Sequence, residues 1–103
     1  MNANKFLLRL YVTGHTPKSE RAIAHVRRIC DEELIGQYEL LVTDILERPQ
    51  LAEDEKILAT PALIKELPPP LRRVIGDMSD KDKVLLGLDL GPYSKSEKHE
   101  GGK

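Results

Sequence analysis

Pro61 to Leu90 reads PALIKELPPPLRRVIGDMSDKDKVLLGLDL, and its local signals conflict. Pro68, Pro69 and Pro70 carry no backbone N–H and bias their predecessors toward extended geometry. Lys83 to Leu90 is a short apolar run that periodicity alone assigns to neither helix nor strand. Composition resolves part of this. Thr60 to Leu67 and Leu71 to Ile75 read as extended segments with the prolines as the turn between them, which makes a hairpin. Ser79 or Asp80 can cap a helix over Asp80 to Leu88 that turns Val84, Leu85 and Leu88 inward.

The chain before this stretch is plainer. Phe6 to Val12, FLLRLYV, has Arg9 as its only charge and suits a strand covered on both faces. Gly14 ends it, and Thr16-Pro17 reads as an N-cap and a first helical position, where the missing proline N–H costs nothing. Ala22, Ile23, Val26, Ile29, Cys30 and Leu34 then recur at helical spacing, with Arg21, Arg27, Arg28, Asp31 and Glu32 mostly on the other side. Gly36 closes this amphipathic helix, and Tyr38 to Ile45 reads as a second strand, parallel to the first across a right-handed βαβ unit. Pro49 opens a short helix, QLAEDEKI, read as carrying its acids in the first turn. The order βαβαββα is the thioredoxin-like arrangement. One domain over residues 1–93 is expected, with SKSEKHEGGK, 94–103, as a disordered polar tail.

With 16 basic and 17 acidic residues the chain has a formal charge of −1, so no general drive toward nucleic acid exists. No apolar stretch is long enough to span a membrane, and MNANKFLLRLYV reads as a strand rather than a signal peptide. A single cysteine forms no internal disulfide, in keeping with a cytoplasmic protein.

A thioredoxin-like order raises thiol chemistry, but the turn Gly14 to Ser19 holds no cysteine. Cys30 falls on the apolar side of the helix, where a structural thiol is expected rather than a nucleophile. Thr60-Pro61 stands where thioredoxin-like proteins carry a cis proline, and here it is expected only to shape the backbone. His15, His25 and His99 show no metal-binding spacing and read as surface residues. The glycines form no phosphate cradle, so no cofactor is implied. Glu53, Asp54 and Glu55 read as a solvated face. Arg72 and Arg73 beside the rigid prolines read equally as surface charge or as a docking patch, since a fixed turn presents its neighbours at low entropic cost.

LYVTGHTPKSERA (Leu10 to Ala22), RPQLAEDEKILATPALIKELPPPLRRVIGDMSDKDKVLLGLDL (Arg48 to Leu90) and the spacing between them closely resemble the KaiB family of circadian clock proteins. The order of Ala59-Thr60-Pro61, LPPP, IGD and GLDL is not a generic thioredoxin pattern. The resemblance implies a non-enzymatic regulator of a KaiC-type ATPase, with KaiA and a clock-output histidine kinase as further partners. It implies a tetrameric or dimeric ground state of order βαββααβ that converts to a monomeric thioredoxin-like form on binding. Arg21, Lys56 and Arg73 match family binding positions, while Leu41 stands where the family has a basic residue on the second strand. The Lys-containing tail also departs from the acidic ends of many cyanobacterial members, which fits a paralogue serving a different KaiC in stress or a reduced timer. The rival functions are a thioredoxin-like thiol oxidoreductase and a free-standing adaptor of a histidine kinase pathway.

Gly87 and Asp89 are the expected fold-switch positions. Glycine costs a helix about 1 kcal/mol relative to alanine. A carboxylate near a helix C-terminus opposes the macrodipole by about 0.3–1 kcal/mol. Both penalise the helical form of KVLLGLDL, so Gly87→Ala with Asp89→Arg is expected to favour the thioredoxin-like arrangement.

Overall fold

In the computed structural model, which describes residues 5–90, alternation sets the centre of the sheet. Along β1 (Phe6–Val12), Leu8, Leu10 and Val12 are buried on one face and Tyr11 on the other. After β1 come α1 (Pro17–Glu33), β2 (Tyr38–Asp44), α2 (Pro49–Asp54), β3 (Ala62–Leu67), β4 (Arg72–Ile75) and α3 (Lys81–Gly87). The sheet order is β2-β1-β3-β4. β1 runs parallel to β2 in the register Phe6↔Tyr38 to Val12↔Asp44, and antiparallel to β3, which hairpins onto β4. This is the thioredoxin-like βαβαββα order expected. The tail 94–103 lies outside the described residues, and so does the end of the expected domain.

The larger core lies between the sheet and the pair α1/α3. Ala22, Val26, Ile29 and Cys30 of α1 meet Leu8, Leu10, Val12 and Leu63 from the sheet and Met78, Val84, Leu85 and Leu88 from the C-terminal segment. Thr16 caps α1 by accepting the Ser19 N–H at 3.1 Å, with Pro17 in the first turn. A smaller cluster on the other face, Tyr11, Ala62 and Ile64 against Ile45, Leu51 and Ile57, seats α2. The Tyr11 hydroxyl is buried there without a hydrogen-bond partner among the described residues.

Two readings need correction. Helix α2 begins at Pro49, so Glu53 falls in its last turn rather than its first, and Glu53 and Asp54 work against the helix dipole. Asp80 caps α3 as expected, accepting the Lys83 N–H at 3.2 Å, but Gly87 is there for space as well. A Cβ at Gly87 would come within 2.5 Å of Val74 Cγ2, because α3 lies directly on β4. Alanine at 87 therefore gains helix propensity and loses packing, so its expected benefit to this arrangement does not follow.

Candidate partner-binding surface

Strand alternation separates the two arginines that the sequence places side by side. Arg73 pairs with Ile64 and lies on the α2 face, whereas Arg72 pairs with Lys65 and lies with Val74 on the α1/α3 face. Arg73 turns its guanidinium onto the end of α2, donating to the carbonyl oxygens of Glu55 at 3.2 Å and Lys56 at 3.3 Å. A cation over unpaired C-terminal carbonyls is favourable both as a hydrogen-bond donor and against the dipole. It also offsets the misplaced carboxylates of the last turn.

Lys56 follows the C-cap of α2 in the left-handed region at φ 57°. Its N–H bonds the Glu53 carbonyl and the next N–H, of Ile57, bonds that of Ala52. This pattern is a Schellman motif, and it turns the Lys56 side chain into solvent. Lys56 and Arg73 thus meet at one corner of the α2 face, near exposed Leu58 (91%) and Ile75 (51%). Arg21 is exposed on α1, across the sheet, on the rim of a cavity of about 430 Å³ that His25, Pro61 and Asp77 also line. Of the expected residues, the structure brings together Lys56 and Arg73, and leaves Arg21 and Arg72 on the other side. Leu41 lies half-buried on β2, an outer strand of the sheet.

The second expected pair sits at the end of α3. Asp89 has φ 63°, in the left-handed region, and its N–H bonds the Leu86 carbonyl while that of Leu90 bonds Leu85. This too is a Schellman turn, with Leu90 packed against the main core. Glycine normally occupies the left-handed position, yet here the glycine is two residues earlier, under Val74.

At the place where a thioredoxin-like protein would carry its thiols, Thr60-Pro61 is cis and faces the start of α1. The groups there are hydroxyls. Thr13 Oγ1 and Thr60 Oγ1 are 2.6 Å apart, and Ser19 Oγ donates to the Thr13 carbonyl at 3.2 Å. Cys30 is 3% exposed in the core, and burial pushes its thiol up to about 12, with Asp31 adding to the shift. It is the buried structural thiol expected. Sequence spacing also missed a cluster at the ends of β1 and β2, where His15, exposed as expected, stands beside Asp44 and Glu47. Nothing in the spacing signals it, because parallel pairing of Val12 with Asp44 and the turn at Gly14 bring residue 15 beside residues 44 and 47.

A profile of the KaiB domain matches residues 9–90, from the centre of β1 past the Schellman turn of α3. The chain belongs to the KaiB family. Among curated relatives, circadian clock protein KaiB3 of Synechocystis sp. (strain PCC 6803) is 58% identical over 92 residues, covering 89% of this chain and 90% of its own. Circadian clock oscillator protein KaiB of Prochlorococcus marinus (strain NATL2A) is 59% identical over 91 residues, covering 87% and 85%. The solution structure of the N-terminal domain of Synechococcus elongatus SasA superposes with a TM-score of 0.70 at 28% identity, covering 87% of this chain and 89% of that one. This KaiB-family chain has the thioredoxin-like fold, and both segments quoted above lie within the matched residues. Among the described residues, no helix is long and apolar enough to cross a membrane.

Proposed function

We propose that this chain is a non-enzymatic regulator in a circadian or stress-timing system, acting by binding a KaiC-type ATPase through the Lys56–Arg73 corner. The observation that carries this reading is the KaiB-domain match over residues 9–90, which includes that whole corner. The geometry supports it: Lys56 and Arg73 are fixed by backbone caps beside the carboxylates of Glu53 and Asp54 and next to exposed Leu58 and Ile75, which suits a mixed-charge rim around an apolar centre. Arg21 and Arg72, across the sheet, serve a second contact such as KaiA or a clock-output histidine kinase. The ground state is a homotetramer or dimer of the alternative fold, with Gly87 and Asp89 at the element that changes. The near-equal identities to KaiB3 and to oscillator KaiB, 58% and 59%, leave both kinds of timing system within the proposal.

The test is a titration of the full chain against the KaiC-type ATPases of its host, with and without ATP. Saturable ATP-dependent binding is expected from one of them. Lys56→Glu should weaken it about tenfold by reversing one rim charge, while the far-ultraviolet spectrum stays unchanged, since Arg73 uses only the Lys56 carbonyl. Equal affinity for Lys56→Glu would remove this corner from the interface, and no binding to any host ATPase would overturn the reading. The likeness to the SasA domain favours a second reading, a free-standing adaptor for a histidine kinase. Direct binding to a host kinase with none to the ATPases would establish it instead.

A further inference from the structure

The cluster at the ends of β1 and β2 has the make-up of a metal centre. His15 lies in the β1–α1 turn just after Gly14, whose φ of 71° swings the chain back over the end of β2. Asp44 is the last residue of β2 and Glu47 lies in the turn that follows. The Asp44 carboxylate is fixed by backbone: Oδ1 accepts the Gly14 N–H at 2.8 Å and the Leu46 N–H at 2.9 Å. Its side chain is 8% exposed, and its second oxygen, Oδ2, is left on the His15 side. His15 Nε2 stands 3.7 Å from Asp44 Oδ2 and 3.6 Å from Glu47 Oε2, and one ligand atom from each residue lies within 4.8 Å of the others.

These spacings bear on the role of the imidazole. A protonated histidine paired with a carboxylate closes to a hydrogen bond of about 2.7–2.9 Å. Here Nε2 is nearly equidistant from two carboxylate oxygens and bonded to neither. Ligands about 2.0–2.2 Å from one tetrahedral ion lie roughly 3.3–3.6 Å apart, close to the two separations from His15 Nε2. One imidazole and two carboxylates suit a borderline divalent cation, and the exposure of His15 and Glu47 leaves room for water to complete the shell.

We propose that His15, Asp44 and Glu47 form a three-ligand site for a divalent transition-metal ion of the zinc type, with the backbone-held Asp44 as its anchor. The bound ion clips the β1–α1 turn to the β2–α2 turn.

Calorimetric titration of the full chain with Zn²⁺, and with Co²⁺ followed by visible absorption, tests this. One ion per chain is expected, with ligand-field bands for Co²⁺ and a melting temperature that rises with Zn²⁺ by linkage. His15→Ala and Glu47→Gln, both at exposed positions, should each weaken binding by at least about tenfold and abolish the thermal shift. His99→Ala, in the tail, should change neither. No saturable binding, binding that survives His15→Ala and Glu47→Gln, or loss of binding on His99→Ala instead would each overturn the proposal.

Discussion

Gly87 shows how one atom can reverse an expectation drawn from propensity. Alanine there gains about 1 kcal/mol of helix preference. Its Cβ would stand 2.5 Å from a methyl of Val74, and Val is stiff at χ1, so the clash costs about 1–3 kcal/mol. Gly87→Ala is expected to lower the stability of the thioredoxin-like arrangement in urea unfolding, and Val74→Ala in the same chain to recover part of the loss. Independent, additive effects of the two substitutions would show that the close approach does not matter. The spacing of KVLLGLDL could not reveal this contact, because it depends on β4 crossing under α3. Cys30 was legible, being a periodic position on an apolar stripe, and its burial has a pH consequence. The folded chain holds the thiol proton up to about pH 12, while the unfolded chain releases it near 9. Above pH 9 the native state binds more protons than the unfolded one, so this residue's contribution is intact below 9 and is lost between 9 and about 12. Replacing Cys30 with alanine should flatten that part of the stability–pH curve, and an unchanged slope would assign it to other groups.

Among the elements, β1, α1 and β2 were readable almost to the residue, because apolar pattern and caps agree there. The ends of α2 and α3 were not. Both helices close in Schellman turns whose left-handed residue is not glycine, Lys56 in one and Asp89 in the other. A non-glycine residue costs about 1–2 kcal/mol in that conformation, less for aspartate than for most. Asp89 combines this with a negative charge at the end of a helix. Asp89→Gly removes the left-handed strain, whereas Asp89→Arg leaves it in place. Asp89→Gly is therefore expected to stabilise the thioredoxin-like arrangement by about 1 kcal/mol, and by more than Asp89→Arg does. Denaturant midpoints and the monomer fraction on size exclusion check the order, and an inverted order would place the cost in charge alone. Arg73 was legible as a basic residue beside a turn and as a match to a family binding position; its work as a cap on α2 needed the hairpin to bring it there.

For the whole molecule, the two layers are unequal. The α1/α3 side has a continuous apolar core, while α2 rests on a small cluster around Tyr11, Ala62 and Ile64. The layer that carries Lys56 therefore rests on fewer buried apolar side chains than the rest. The strand order also divides the chain. β1, α1 and β2 form one unit by sequence and by pairing, and α2, β3, β4 and α3 follow as another. The only strand pairing between them among the described residues is β1 with β3, from Leu7↔Leu67 to Tyr11↔Ala62. A chain cut in the turn at 45–48 would therefore consist of two pieces, each carrying one half of that seam and one half of the core. Mixed in solution, the pieces should reassemble and restore the native amide spectrum, with the seam acting as the recognition element of a split protein.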